Sequence, residues 1–451
     1  MAKKSISLKI EKIFFYLLLF CLPFQTRFII GQWGNIFNEW TSAYLYLTDI
    51  LLVGLIVFWF YRIFKKRKLK ADNFRLEIIL GLFFLAAIIS LKAALNRSLG
   101  IYGLIKLLEF ILLFFYLKYN FTKLYSFVNL ARVIVASIFF QSIIAILQFI
   151  KQKSLGLRWL GESPLGPQIA GVAKIVFEGK KFIRPYGTFP HPALLATFLV
   201  LALFCLFYLF SRSNEFYRFK LFLMGLFLLI LFLSFARIIT IFGLVSIFIY
   251  LIFGIKDKKL LLQFAIYSLL FIVIFWSMLA GRYQIKNITQ DEAFQDRIYY
   301  LKEGIYDWAT SPYIGIGINN FVWFFQQRPD DAGQAGLFIF PVWFYQPIHN
   351  IYLMVIVELG AYGLFFFLWF LFEIYRKRIW QIRKGNRNLF ILFLCLISCF
   401  LLTGLFDHFF WTLQQGQLMF WSVLGVISGI AADYYTISPH SSTDRAQASG
   451  A

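Results

Sequence analysis

The sequence predicts an all-α polytopic integral membrane protein with about twelve transmembrane helices and a large, partly helical outer loop. Hydrophobic residues make up 60% of the chain and charged residues only 15%, whereas globular proteins have roughly 45–50% and 25%. Continuous apolar runs near the length that crosses a bilayer, roughly 17 to 25 residues, recur along the chain. These runs lie at about 12–30, 43–64, 76–94, 98–118, 126–150, 192–211, 219–236, 238–255, 260–280, 349–375, 389–407 and 410–432.

The runs predict helices, because a backbone in hydrocarbon must satisfy its own hydrogen bonds. Continuous runs of this length also exclude the alternating segments of a transmembrane barrel. Four lysines precede the first run and no small-residue cleavage site follows it, so we expect an uncleaved first helix. The cysteines show neither a disulfide framework nor metal-ligand spacing, and we expect no cofactor.

The short basic loops alternate along the chain, which predicts the orientation. They comprise the N-terminus and residues 62–75, 212–220, 256–259 and 376–387. By the positive-inside rule this side is cytoplasmic, so loops 151–191 and 281–348 lie outside. We expect residues 1–436 to form a single transmembrane domain that includes both loops, followed by a disordered tail at 437–451.

The outer loop 151–191 is strongly basic. Its second half predicts a short hairpin that turns at Glu178–Gly179 and places Arg184 at the mouth of the sixth span. Such a loop can bind phosphate at the membrane surface. The alternative for its lysines is a solvated surface or one that binds lipid headgroups.

The second outer loop, 281–348, predicts an amphipathic helix on the membrane face. Its apolar stripe consists of Phe294, Ile298, Leu301, Ile305 and Trp308. Arg297 lies on or beside that stripe. Ser311-Pro312 ends the helix, and Gly315 and Gly317 turn the chain. Arg297 is either a ligand for an anionic substrate or a surface residue that reaches lipid phosphate or a neighbouring carboxylate.

His349 follows this loop and begins the tenth span, at the outer interface. A histidine here can take a proton from a hydroxyl or donate to a phosphate oxygen, although a lone interfacial histidine can also be a capping residue. Asn350 can cap the helix. Gly360 and Gly363 lie on nearly the same face and serve either close helix packing or the substrate.

Arg237 follows Ser234-Phe235-Ala236 at the outer end of the seventh span, where an arginine needs an anionic partner or backbone carbonyls. With Arg184 and Arg297 it supplies three permanently charged forks suited to bidentate phosphate contact. The three arginines therefore predict a phosphate site on one leaflet.

The acidic residues of the spans form no carboxylate dyad, and no histidine or aspartate spacing offers a divalent-metal site. They are Asp49, Glu109, Glu358 and Glu373. A metal-dependent transfer from a nucleotide sugar and a nucleotide-binding loop are both disfavoured. The alternative for the four acids is the proton relay of a transporter.

At this point the sequence resembles the O-antigen ligase and O-antigen polymerase superfamily of bacterial surface polysaccharide assembly. The resemblance covers roughly residues 180–375. It rests on Arg297 with Leu301, the stretch Ser311 to Phe321, and His349-Asn350 followed by Gly360 and Gly363. It extends to Arg184-Pro-Tyr-Gly-Thr-Phe-Pro-His-Pro192 and the turn before Arg237.

The resemblance implies a metal-independent, inverting membrane glycosyltransferase of GT-C-like architecture. Its donor is a glycan on undecaprenyl pyrophosphate at the outer face of the bacterial inner membrane. The pyrophosphate would be held by Arg184, Arg237 and Arg297, with His349 and Arg297 catalytic. Four aromatic residues either stack on sugar faces or form an interfacial belt: Trp308, Trp323, Trp343 and Tyr345.

The expected partners are this lipid-linked donor, membrane lipid, and an acceptor that is another glycan, a lipid A core or a protein. No nucleic-acid partner is expected. The sequence leaves polymerase and ligase open, since the two differ only in acceptor. From a different class, the alternative is a transporter or flippase for polysaccharide or lipid-linked oligosaccharide, although the paired halves typical of transporters are not evident.

Overall fold

The computed structural model describes residues 2–34, 36–66, 74–282, 292–327, 341 and 344–437. This part of the chain is built from helices and two short antiparallel hairpins. In chain order the elements are α1 (Ala2–Cys21), β1 (Arg27–Gln32), β2 (Ser42–Tyr46), α2 (Leu47–Lys66), α3 (Arg75–Ser90), α4 (Arg97–Leu124), α5 (Phe127–Lys151), β3 (Lys174–Phe177), β4 (Lys180–Ile183), α6 (Pro192–Arg212), α7 (Tyr217–Leu233), α8 (Arg237–Tyr250), α9 (Lys258–Arg282), α10 (Glu292–Thr310), α11 (Phe321–Gln326), α12 (Ile351–Phe372), α13 (Ile379–Arg383), α14 (Arg387–Thr403), α15 (Phe409–Thr412) and α16 (Gln414–Ile437).

The predicted all-α polytopic membrane class is confirmed. Among the described residues, eight helical stretches are long and apolar enough to cross a membrane. The other predicted runs are also helical, as α1, α3, α7 and α14, but they are not among the eight. The count of twelve is therefore not confirmed.

The first predicted span, 12–30, is wrong at its end. Helix α1 stops at Cys21, and Arg27–Gln32 is a strand that pairs with Ser42–Tyr46. Pro23 disfavours helix in the residue before it, and the chain then forms a hairpin. The second helix consequently begins at Leu47 rather than near residue 43.

Helix α6 lies at the centre of the bundle. It is apolar on all sides, and 94% of its spanning window is buried inside the protein, which is typical of a helix surrounded by other helices. His191 caps its first turn, because the ring Nδ1 accepts a hydrogen bond from the Ala193 N–H at 3.2 Å. Pro192 follows at the first helical position, where its missing N–H costs nothing.

Helices α4 and α16 pack closely through two glycines. A methyl group on Gly429 would lie 2.7 Å from the carbonyl oxygen of Leu117, and one on Gly425 would lie 2.8 Å from the Leu117 Cβ. Glycines four residues apart let helix backbones approach each other in membranes. This contact fixes α16, whose first turn follows the segment 404–413 of the candidate site.

Helix α12 is broken at Gly360, and the segment 312–317 lies against the break. Gly360 has φ 70° and ψ −173°, a backbone conformation that is essentially confined to glycine. The Ile316 and Gly317 N–H groups donate to the carbonyls of Val357 and Glu358 at 3.0 Å each. The Ala361 N–H donates to the Pro312 carbonyl at 2.9 Å. The break therefore frees backbone groups, and the crossing segment satisfies them.

Helix α10 confirms the predicted helix, which ends at Thr310 before Ser311-Pro312. It turns Tyr300, Gly304 and Asp307 toward the protein. Tyr300 packs into a cluster with Phe325 and Tyr345. The predicted apolar stripe points away from the protein body, with Phe294, Ile298, Leu301 and Ile305 all exposed. Its contact with membrane lipid remains a prediction.

Candidate functional site

Three histidines meet at one end of the bundle, which we call the site end. His191 precedes α6, His349 precedes the cap of α12, and His408 precedes α15. The rings of His349 and His408 lie 4.9 Å apart, centroid to centroid, and are nearly perpendicular at 86°. The charge of His349, when present, would lower the pKa of both other histidines. These are three of the four histidines of the chain.

Arg184 reaches this cluster from the second hairpin. Strands β3 and β4 pair as predicted, and the turn at Glu178 and Gly179 has φ values of 49° and 76°. Arg184 follows β4 directly, and its Nε donates to the carbonyl of Ser234 at 2.6 Å. Its positive charge lowers the pKa of His191 and that of Asp407.

Arg297 approaches from α10. It lies one turn before Tyr300 on that helix and is exposed, beside the outward apolar stripe. Its positive charge lowers the pKa of all three histidines and of Asp407. Arg184, Arg297 and His349, which the sequence singles out separately, therefore lie in one electrostatic neighbourhood.

Arg237 is the first residue of α8 and is half-buried. It follows Ser234 by three residues, and the Ser234 carbonyl is the group that accepts the hydrogen bond of Arg184. The turn between α7 and α8 is tight, with Phe235 at φ 49°. This turn brings the start of α8 next to the anchor of Arg184.

His349 is held in a strongly polarised setting. Burial lowers its pKa to about 3, Arg297 acts in the same direction, and the backbone carbonyl of Pro347 opposes them. Its Nδ1 is buried and has no hydrogen-bond partner among the described residues. The ring of Tyr300 stacks on it at 6.1 Å and 11°. The neutral form of the His349 ring is therefore the favoured one.

The backbone around His349 is fixed from two sides. The predicted cap is present, because Asn350 Oδ1 accepts from the N–H groups of Tyr352 and Leu353 at 2.9 and 3.0 Å. The Ile351 N–H donates to the Gly404 carbonyl at 2.8 Å, and Asn350 Nδ2 donates to the Leu405 carbonyl at 3.2 Å. These bonds join the start of α12 to the segment that carries His408.

Asp407, His191 and His408 were not predicted as site residues. Burial raises the pKa of Asp407 to about 6, and Arg297 partly offsets that rise. Burial also lowers the pKa of His191 and His408 well below the ordinary value. The rarity of histidine could have identified His191 and His408 from the sequence, because each described histidine lies just before a helix on the same predicted side of the membrane.

Gly360 and the described aromatic residues have structural contacts around the site. A methyl group on Gly360 would lie 2.2 Å from the backbone of Tyr313, so this glycine permits the crossing. Tyr345 is 3% exposed, which is too buried for a sugar platform. The Trp308 indole donates to the Pro312 carbonyl at 3.0 Å. Trp323 is half-buried, and Trp343 lies outside the described residues.

The four acids of the spans have partners of their own. Lys106 Nζ contacts both Asp49 and Glu109 at 2.6 Å. The Trp411 indole donates to Glu358 at 2.8 Å. Glu373 contacts Arg75 and Lys377 at the opposite end of the bundle, at 3.3 Å each. In the part of the chain described, no group of three or more histidines, cysteines or acids is arranged to hold a metal ion.

The geometry of the site end thus combines permanent cations with neutral histidines at a membrane-protein surface. Residues 221–368, about a third of the chain, match the O-antigen ligase family. This segment contains Arg237, Arg297 and His349, whereas Arg184, His191 and His408 lie outside it. No curated protein matches the chain.

Proposed function

We propose that the chain is a lipid-linked-glycan glycosyltransferase of the O-antigen ligase and polymerase type, because residues 221–368 match the O-antigen ligase family. It moves a glycan from an undecaprenyl-pyrophosphate carrier to an acceptor hydroxyl, on the outer face of the bacterial inner membrane. The acceptor is another lipid-linked glycan, a lipid A core or a protein side chain. The product belongs to the polysaccharides of the cell envelope, such as lipopolysaccharide.

One observation carries the proposal: Arg184 and Arg297 act electrostatically on the same cluster of neutral histidines that includes His349. A guanidinium group is planar and presents several donors, so it binds phosphate oxygens in pairs. Fixed cations are what a departing pyrophosphate requires, because negative charge develops on the leaving oxygen. We assign Arg184, Arg237 and Arg297 to the pyrophosphate.

His349 is the proposed general base. The acceptor hydroxyl gives its proton to the ring, the acceptor oxygen bonds to the anomeric carbon, and the bond from that carbon to the pyrophosphate oxygen breaks. Attack on the face opposite the leaving group inverts the anomeric configuration. The arginines provide the positive charge that a divalent cation can provide elsewhere, so we propose that turnover is metal-independent.

The low pKa of His349 suits a site that awaits an anion. Without donor, burial and then the charge of Arg297 hold the ring neutral, which is the form that accepts a proton. A bound pyrophosphate would offset the charge of Arg297 and raise the pKa of His349. A base works best when its pKa lies near the operating pH, so donor binding would bring His349 closer to that value.

The test uses purified protein and a synthetic polyprenyl-pyrophosphate oligosaccharide without any ion gradient. We expect elongated or transferred glycan, abolished in His349→Ala and Arg297→Ala and poor in Arg297→Lys. Arg218→Ala is the matched control, because Arg218 is exposed at the opposite end of the bundle. Full activity in either alanine variant at the site would overturn the assignment.

Two further arms of the same experiment separate the alternatives. A chelator should leave turnover unchanged, and inhibition reversed by a divalent ion would contradict metal independence. Repeats that accumulate on the carrier indicate a polymerase, whereas a single transfer to another acceptor indicates a ligase. Absence of any product from folded wild-type protein would favour a flippase or transporter.

A further inference from the structure

His408 is enclosed by aromatic contacts on two sides. Its ring packs perpendicular to His349 at 4.9 Å and perpendicular to Trp40 at 5.2 Å. The side chain is 6% exposed. Its backbone N–H also donates to the Asp407 carboxylate at 2.8 Å. The ring therefore has little freedom to move independently of His349.

Thr412 fixes the remaining degree of freedom of that ring. Its Oγ1 lies 2.6 Å from His408 Nδ1, four residues earlier in the chain. Its backbone N–H donates to the His408 carbonyl at 3.2 Å, and its hydroxyl lies 3.2 Å from the same oxygen. A neutral imidazole has one donor and one acceptor nitrogen, so this contact determines how His408 presents its other nitrogen.

The surroundings of His408 oppose its protonation. The titratable and charged groups that act on it come from separate parts of the fold: His191 before α6, Arg297 on α10, and His349 before α12. Asp407, its neighbour, has a raised pKa because it is buried. His408 is thus a neutral partner with a defined orientation and is not a competing cation.

We propose that His408 is a positioning residue for His349, and that the Thr412 hydroxyl sets the ring orientation and tautomer through which His408 acts. The pair holds the base in the orientation that accepts the acceptor proton. This inference rests on the proposed function. His408 and Thr412 both lie outside the family match at 221–368, so their role comes from the geometry alone.

The side chain of Thr412 also lines a polar cavity of about 70 Å³, together with Gln414 and Glu358. That volume holds roughly five to seven waters, at about 10–15 Å³ of such volume for each. Gln414 Nε2 donates to Asp49 at 2.5 Å, while its Oε1 has no partner among the described residues. Thr412→Val replaces the hydroxyl by a methyl group of similar size, so the cavity keeps its size.

The experiment compares Thr412→Val with Thr412→Ser in the glycan-transfer assay. Hydrogen-bond partners that orient metal-ligating histidines cost about 10- to 100-fold when they are removed, and we take this range as the scale for an oriented catalytic histidine. We expect a kcat loss of that size in Thr412→Val, with the KM for the donor within about twofold because the arginines are untouched. Thr412→Ser should restore most of kcat. Thr403→Val is the matched control, since Thr403 is a buried threonine at the end of α14 whose hydroxyl makes no hydrogen bond to a described histidine.

A second measurement does not depend on turnover. In protein labelled with ¹⁵N-histidine, the ring-nitrogen signals of His408 and His349 should shift in Thr412→Val and stay unchanged in Thr403→Val. Wild-type kcat in Thr412→Val, or a loss that appears only in KM, would overturn the inference. If the wild type transfers no glycan, the proposed function fails, and the ¹⁵N signals alone then decide whether Thr412 orients the histidines.

Discussion

Replacement of Gly360 by alanine should damage both the fold and the site end. The added methyl group would lie 2.2 Å from the carbonyl carbon and oxygen of Tyr313 and 2.4 Å from the Ile314 nitrogen. All three neighbours are backbone atoms, so no side-chain rotation can relieve the contact. The segment 312–317 would have to move away from α12.

The magnitude follows from two separate costs. The φ of 70° with ψ of −173° costs a non-glycine residue about 1–3 kcal/mol. Forcing an extra methyl group into a packed region costs about 1–3 kcal/mol more. We therefore expect the free energy of unfolding to fall by roughly 2–6 kcal/mol. Loss of the backbone bonds at Val357 and Glu358 would place the variant at the upper end.

The assay is the apparent midpoint of thermal unfolding in detergent, with glycan transfer measured on the same samples. Gly81→Ala is the matched control, because a methyl group at this helical glycine meets no atom within 4 Å. In a helix, alanine replaces glycine with a gain of about 1 kcal/mol, so this control should be at least as stable as wild type. A Gly360→Ala midpoint equal to that of the control would refute the role of the crossing.

Two further predictions concern the start of α12. The pKa of His349 is about 3 when folded, below the ordinary 6.5, so its contribution to stability is present above pH 6.5 and is lost as pH falls toward 3; the stability difference between wild type and His349→Asn should therefore shrink across this window in thermal unfolding, and a pH-independent difference would contradict it. Asn350→Ala should lower the free energy of unfolding by about 1 kcal/mol, because it removes the cap to Tyr352 and Leu353; Asn350→Asp, which keeps the acceptor, should lose less in denaturant titrations.

The sequence predicted those parts of the site end that depend on short-range rules. The turn at Glu178–Gly179 follows from local conformational preference, and the end of α10 before Pro312 follows from the geometry of proline. The cap at Asn350 is equally local. Each feature needs only a few consecutive residues, and for that reason each was predictable without knowing the fold.

What the sequence could not provide is the meeting of the three histidines. His191, His349 and His408 come from distant parts of the chain, and their distances depend on how α6, α12 and α15 pack. The sequence likewise does not predict the break in α12 at Gly360. Its position in an apolar run suggests close helix packing, but the actual neighbour is the backbone of Tyr313, in a loop far away along the chain.

The end of the first span is a different case, because hydropathy predicted a helix that continues beyond its actual end at Cys21. Phe28, Ile29 and Ile30 extend the first apolar run beyond Pro23, but they lie on an exposed strand, each more than half exposed. Hydropathy reports the transfer of side chains and does not distinguish a span from an apolar hairpin. The conformational effect of Pro23 on the residue before it predicts the end of α1 better than hydropathy does.

The positive charge at the site end explains why its histidines and arginines occur together. His191 caps α6 and His349 directly precedes the cap of α12, so both rings lie at helix N-termini, which carry partial positive charge. That charge, with Arg184 and Arg297, disfavours an imidazolium and favours a bound anion. Fixed charge for an anion and a neutral proton acceptor thus come from the same arrangement. In the proposed mechanism, the arriving anion shifts the balance at His349 toward proton uptake, so the proposed base gains its strength from the substrate itself.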